Sequence, residues 1–233
     1  FIHGFGADSQ SWVANVPAVT EIVEAVGVDL PAHGLSADID MPDSLDQIAT
    51  QVIDSIDTSA PCIFIGHSAG GAIAMMCSAR VEVRALGLVS PVGLGGGPDR
   101  SFIEQLPLVD TEAQALSLLQ SMVENKRLIA SPVVARLLEQ LQRPHIRERW
   151  QRFASLLLQS EQELIAARQQ LLKRGVLPQV VWGGADAINP LSESLWQCLP
   201  GDWQRFDSCG HLPHIERWSA YNKALINYLE SRS

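Results

Sequence analysis

The chain has 233 residues, 46% of them hydrophobic and 18% charged, enough to bury one sizeable core. Its net charge of −9 and pI near 5.1 exclude a surface built to grip nucleic acid or an anionic membrane, either of which needs clustered Lys and Arg. The longest apolar window, 62–79, is broken by His67, Ser68 and several glycines and makes a poor membrane span.

In chain order, Phe1-Ile2 reads as the end of a strand that runs into the glycine-flanked loop His3-Gly4-Phe5-Gly6. Val26 to Leu30 is a second short strand, stopped by Pro31. Asp43 to Ile56 carries Leu45, Ile48, Val52, Ile53 and Ile56 at helical spacing, with Asp43 or Ser44 as the cap. Cys62 to Ile65 is a continuous apolar run suited to a central parallel strand, and Ala69 to Ala79 is an uncharged, Ala-, Met- and Gly-rich helix that must be buried against the sheet. Ala85 to Val89, Pro178 to Trp182 and Trp203 to Phe206 complete the strands, and a last helix runs from about Glu216 to Leu229. This alternation predicts an α/β fold with a mostly parallel sheet flanked by helices. From Gly97 to Gly175 only helical periodicity is visible, as at Leu116, Leu119, Met122 and Val123 and again at Val133, Leu137, Leu138 and Leu141. The expected organisation is therefore a core of residues 1–96 and 176–233 with an all-helical insertion, 97–175, placed over the ligand crevice of a parallel sheet.

The cysteines Cys62, Cys77, Cys198 and Cys209 lack C-x-x-C spacing, and Cys62 and Cys77 fall in apolar segments where a reduced thiol packs as a small hydrophobe. That points to a reducing cytoplasm. No signal-peptide pattern is visible, and the abrupt opening without Met points to sequence missing upstream.

The chemistry concentrates at Gly66-His67-Ser68-Ala69-Gly70, a G-x-S-x-G pattern between strand and helix. A serine on such a turn has a strained backbone and an exposed hydroxyl, and Gly66 and Gly70 remove side chains that would collide there. The helix start aims free N–H groups and the positive end of its dipole at a developing oxyanion. A nucleophilic Ser68 needs a base and an acid. Asp186, in a glycine- and proline-containing loop after the strand ending at Trp182, and His211, in Gly210-His211-Leu212-Pro213 after the strand ending near Phe206, supply them in the order serine, acid, histidine. His214 is the competitor for the base. The backbone N–H groups of Phe5 and Ala69 are the expected oxyanion donors, and His33 is expected to shape a turn around Asp29. His3 and His67 lack Cys, Asp or Glu at ligand spacing, so no metal and no cofactor is expected. Phe102, Met122, Trp150 and Phe153 are candidate pocket walls, with the interior of the insertion as their alternative place.

Five motifs in order, HGFG at 3–6, DLPAHGLS at 29–36, GHSAGG at 66–71, WGGADAINP at 182–190 and GHLPHIE at 210–216, resemble the α/β-hydrolase fold superfamily. The resemblance implies an eight-stranded, mostly parallel sheet whose first two strands are absent here, Ser68 as nucleophile, Asp186 as acid, His211 as base and a helical cap before the acid strand. Ala32 stands where a glycine is usual. Ser68 argues against dehalogenases, which place Asp there. The segment Leu88 to Gly95 and the cap helices look like the hydrolase-like domain of acetoin dehydrogenase acyltransferase (E2) subunits, and also like hydrolases of carbon–carbon bonds in ring-fission products. The expected function is a serine hydrolase acting by acyl-enzyme chemistry on a small ester or thioester. The alternatives are an E2-like acyltransferase in a dehydrogenase complex, joined through upstream domains, a carbon–carbon hydrolase, and a non-catalytic binding module.

Overall fold

The computed structural model describes residues 1–95, 97–191 and 199–232; Cys198 lies outside them. Four parallel strands, β1 (Cys62–His67), β2 (Val83–Val89), β3 (Gln179–Gly183) and β4 (Asp202–Phe206), form one sheet in sequence order. Helices α1 (Leu45–Asp54) and α2 (Ala69–Ser78) flank β1 in sequence. Ser44, not Asp43, caps α1, its side chain accepting from Gln47 N. Between β2 and β3 the described residues form no strand but five α-helices, α3 (Arg100–Gln105), α4 (Glu112–Ser121), α5 (Ser131–Leu141), α6 (Ile146–Gln159) and α7 (Glu161–Lys173), and two 3₁₀ turns, Leu106–Leu108 and Lys126–Leu128.

The expected strands at Phe1-Ile2 and Val26–Leu30 shrink to single bridges: Ile2 pairs in parallel with Val28 on one side and Gly66 on the other. Turns cut both short. His3 already begins the glycine loop, Pro31 has no N–H to offer a ladder, and Ala32 turns the chain at φ 63°. The expected last helix is likewise divided. Pro213 starts a turn, α8 (Pro213–Glu216), Arg217 leaves helical geometry at φ −124°, and α9 (Trp218–Glu230) follows.

Alternation along the strands explains the two cores. Phe64, Leu86, Leu88, Val180 and Trp182 face the cluster that holds α1, α2 and the insertion, whereas Ile65, Val89 and Val181 face Trp12, Tyr221 and Leu225. All ten residues of α2 are buried, as its lack of charge requires. The helices between β2 and β3 are tied to the rest of the chain by basic side chains donating to backbone oxygens: Arg143 to Gly34 O at 2.8 Å, Arg149 to Ala37 O at 2.8 Å, and Arg168 to Gly93 O at 3.2 Å. Arg136 Nη2 meets the buried carboxylate of Asp8 at 2.5 Å.

A Cβ on Gly70 would overlap the backbone oxygens of Ile2 and His3, and one on Gly66 would overlap Gly70 O. The glycines are thus required by backbone packed on backbone, rather than by room around Ser68 itself. Gly70→Ala should destabilise the protein at or above the upper end of the roughly 1–3 kcal/mol typical of overpacking, read as a lower midpoint in urea denaturation; an unchanged midpoint would contradict this packing.

Candidate active site

β1 ends at His67, and Ser68 takes φ 53°, ψ −117° before α2 begins. For a residue with a Cβ this region costs of order 1–3 kcal/mol, and it is held by Ser68 N donating to Val89 O at 2.9 Å and by Ser68 O accepting from Val92 N at 3.0 Å. The His3–Gly6 loop lies against it: a Cβ on Gly4 would sit 3.2 Å from Ser68 Cβ. Gly6 N–H donates to His33 Nε2 at 3.1 Å, which fixes the loop, while the N–H groups of Phe5 and Ala69 have no acceptor among the described residues.

The loop after β3 brings Asp186 to His211. Asp186 Oδ1 accepts from the N–H groups of Ile188 (2.9 Å) and Asn189 (2.8 Å), leaving Oδ2 to accept from His211 Nδ1 at 2.8 Å. Both side chains are essentially inaccessible. This bond places the proton on Nδ1 and leaves Nε2 as a lone-pair nitrogen. His214, the competing histidine, makes no such contact; its ring is wedged between Trp12 and His67, at centroid distances of 4.4 and 4.6 Å, with both nitrogens unpartnered among the described residues. His67 belongs to this support: its Nε2 donates to His211 O at 2.9 Å.

Two contacts that the sequence reading did not anticipate hold the histidine loop to the helical segment between β2 and β3. His211 N donates to Met122 O at 2.6 Å. The Glu216 carboxylate accepts from Gly210 N at 2.6 Å through one oxygen and from Glu124 N and Asn125 N, at 2.9 and 3.1 Å, through the other. The GHLPHIE motif contains Glu216, but nothing in the spacing tells that its partners lie some ninety residues upstream.

Of the candidate walls, Trp150 and Phe153 are wholly buried and pack edge-on to Phe5, at 5.6 and 5.3 Å, beside His33. Phe102 lines a cavity of about 780 Å³ with Ala187 and Ile188, next to Asp186. Met122 is half-buried and reaches the site through its carbonyl.

Four histidines around the site are kept neutral by burial. His33 and His214 are pushed down to about 3, His67 lies well below the ordinary value, and His3 is lowered too, desolvation being the largest cause each time. His3 Nε2 accepts from Leu30 N at 3.0 Å and His33 Nε2 from Gly6 N, roles that protonation would remove. Burial alone would raise the Asp29 carboxyl, but donation from Leu35 N and Ser9 N outweighs it and the pKa falls.

The strand–turn–helix serine, the buried acid–histidine pair and the parallel sheet define a hydrolase-type α/β protein. The chain belongs to the alpha/beta hydrolase family, whose model matches residues 1–224. It is 26% identical over 233 residues to the dihydrolipoyllysine-residue acetyltransferase component of the acetoin cleaving system of Cupriavidus necator, covering 98% of this chain and 62% of that protein. The chain thus spans less than two thirds of that relative's length. It is 24% identical over 255 residues to the human monoacylglycerol lipase ABHD6, covering 99% of this chain and 74% of that one. Among solved structures, 2-hydroxy-6-oxo-6-phenylhexa-2,4-dienoate hydrolase from Rhodococcus superposes with a TM-score of 0.83 at 20% identity, over 98% of this chain and 89% of that one, which shows the shared fold.

Depressed histidine pKa values have a definite consequence for stability. Below the unfolded value near 6.5 the unfolded chain binds protons that the folded chain refuses until about 3 for His33 and His214. The stabilisation from these groups is complete above pH 6.5 and declines as pH falls from there, each histidine adding up to about 1.4 kcal/mol per pH unit. The urea midpoint should drop steeply between pH 6.5 and 4, and His33→Gln should flatten that slope. Glu216→Gln, which keeps one acceptor where two oxygens are used, should lower kcat on any substrate more than it raises KM, with the folded far-UV spectrum unchanged.

Proposed function

We propose that the protein is a serine hydrolase that forms an acyl-enzyme on Ser68 from a small ester or thioester. The observation that carries this reading is the 2.8 Å bond between His211 Nδ1 and an Asp186 carboxylate whose other oxygen is already satisfied, beside a serine held at φ 53°. His211 Nε2 takes the Ser68 hydroxyl proton as Oγ attacks the carbonyl carbon. The resulting oxyanion accepts from the unpartnered N–H groups of Phe5 and Ala69. His211 then protonates the departing alcohol or thiol, and water, deprotonated by the same nitrogen, attacks the acyl carbon and releases the acid with Ser68 restored. No step calls on a cofactor. No described residue gives the Ser68 hydroxyl a hydrogen bond, so in this reading the serine–histidine bond tightens when substrate arrives. The helices of 97–175 act as a cap on the core formed by 1–96 and 176–233, with Phe102 and Met122 nearest the substrate, and Trp150 and Phe153 behind Phe5.

Similarity to the acetoin-system acetyltransferase supports a second reading, in which a thiol replaces water in the last step and the chain works as an acyltransferase within a dehydrogenase complex. Cytoplasmic placement, inferred from cysteine usage, suits either, and no described helix is long and apolar enough to cross a membrane.

Ser68→Ala should lower kcat on a chromogenic short-chain ester by roughly 10⁴-fold or more, and Asp186→Asn by about 10⁴-fold, while a fluorophosphonate should label the parent protein at Ser68 and the alanine variant nowhere. An unlabelled, folded parent protein would favour a non-catalytic module, and added thiol that raises turnover would favour acyl transfer.

A further inference from the structure

Asp8 follows the His3–Gly6 loop by two residues, and its buried carboxylate uses its two oxygens on different parts of the chain. Oδ1 accepts from Gln10 N at 3.0 Å and so caps the short helical turn Ser9–Trp12. Oδ2 accepts from α5: Arg136 Nε at 3.0 Å, Arg136 Nη2 at 2.5 Å and Gln140 Nε2 at 3.3 Å. Arg136 Nη1 also donates to Gln10 Oε1 at 3.0 Å, so one guanidinium grips the cap and the residue it caps. A helix cap needs a single oxygen and is normally met at the surface. Burial of the second oxygen is explained only by the cation that faces it.

The path from Asp8 to the Phe5 N–H is short and stiff. Ala7 N donates to Gly4 O at 3.2 Å, which closes residues 4–7 into a turn. That turn is held at three points. Gly6 N–H is on His33 Nε2, Gly6 lies against Leu106 so closely that a Cβ would meet it at 2.6 Å, and Asp8 is on Arg136. Of these three the Arg136 contact is ionic, and its loss would leave a buried carboxylate without a counter-charge. The carboxylate would escape that cost by turning out to water, and the 4–7 turn would follow it. A shift of about 1 Å in a group aimed at a reacting atom costs on the order of 10²-fold in rate.

We propose that Asp8 and Arg136 are positioning residues for the Phe5 N–H, their ion pair holding the 4–7 turn where an oxyanion on the Ser68 adduct would form. The role deepens the serine-hydrolase reading and rests on it for the reaction, but the dependence of the turn on Arg136 can be measured without turnover.

Arg136→Gln, Arg136→Lys and Asp8→Asn are made singly, and Asp8→Asn is combined with Arg136→Gln; kcat and KM are measured on p-nitrophenyl butyrate. Arg136→Gln should lower kcat about 10- to 100-fold and move KM by less than about threefold. Arg136→Lys, which keeps the charge and loses the fork, should fall between it and the parent. The double variant, in which two neutral amides can pair, should be no slower than Arg136→Gln alone. The pH at which kcat/KM is half-maximal should stay at the parental value, because the His211–Asp186 bond is untouched. Hydrogen exchange at Gly6 N–H, followed by NMR, should quicken by about tenfold or more in Arg136→Gln while the amides of α2 keep their protection.

Parental kcat and parental Gly6 exchange in folded Arg136→Gln protein would overturn the proposal, and so would a loss confined to KM or losses that add in the double variant. Arg136 is half-exposed, and should its glutamine variant still fail to fold, the lysine variant carries the same comparison. Faster Gly6 exchange in the variant of a parent that neither takes a fluorophosphonate nor turns over the ester would uphold the ion pair's hold on the turn and defeat the hydrolase reading. An active parent whose variants are unchanged in both measurements would do the reverse.

Discussion

The site depends on how closely α2 approaches the backbone in front of it. Gly70 rests on the carbonyls of Ile2 and His3, and Gly66 rests on Gly70, so strand, loop and helix meet with no side chain between them. Only at that spacing can Ile2 bridge to Gly66 while His67 N reaches Ile2 O at 3.0 Å. The chain must then pass from strand to helix in one residue, and Ser68 adopts φ 53° because no room is left for a gentler turn. The strain at Ser68 is a consequence of packing, and the ten buried residues of α2 are what sustain it.

Around this junction, neutral histidines do work that elsewhere falls to backbone ladders. His3 and His33 each donate through Nδ1 to a carbonyl and accept a backbone N–H at Nε2, so one tautomer of each fixes the first loop to the 29–36 turn. Gly6 N–H is taken by His33, whereas Phe5 N–H has no acceptor among the described residues. His67 extends the pattern to the other side by holding His211 through its carbonyl. Burial makes this possible, since desolvation keeps the rings uncharged at neutral pH and preserves their acceptor nitrogens.

The sequence carried the parts whose physics is local. The apolar run before Ser68, the glycines around it and the alternation of strands with helices all place the elbow and the sheet, and the order Ser68, Asp186, His211 follows from loops at strand ends. What escaped reading depends on distant partners or on turn geometry. The strands at Ile2 and Val28 look long enough by composition, yet the positive φ of Ala32 and the Gly4 turn end them. Trp150 and Phe153 carry no mark of whether they face a pocket or Phe5. Glu216 reads as an ordinary helix-start carboxylate, and only the folded chain shows that it answers N–H groups from two segments.

Glu216 is one of several ties between the helical segment that joins β2 to β3 and the loops around Ser68. That segment touches the His211 loop through Met122 and through the N–H groups of Glu124 and Asn125 on Glu216, and it touches the His3–Gly6 loop and the residues after it through Leu106, through Trp150 and Phe153 packed on Phe5, and through Arg136 and Gln140 on Asp8. Between these anchors α4 is loosely held, with Ala115 its one buried residue and a cavity on either side of it. The C-terminal end of α4, at Met122, is bonded through its carbonyl to His211 N. The helical segment between β2 and β3 therefore packs on both the His211 loop and the loop that carries Phe5, so the relative position of those two loops is fixed through it.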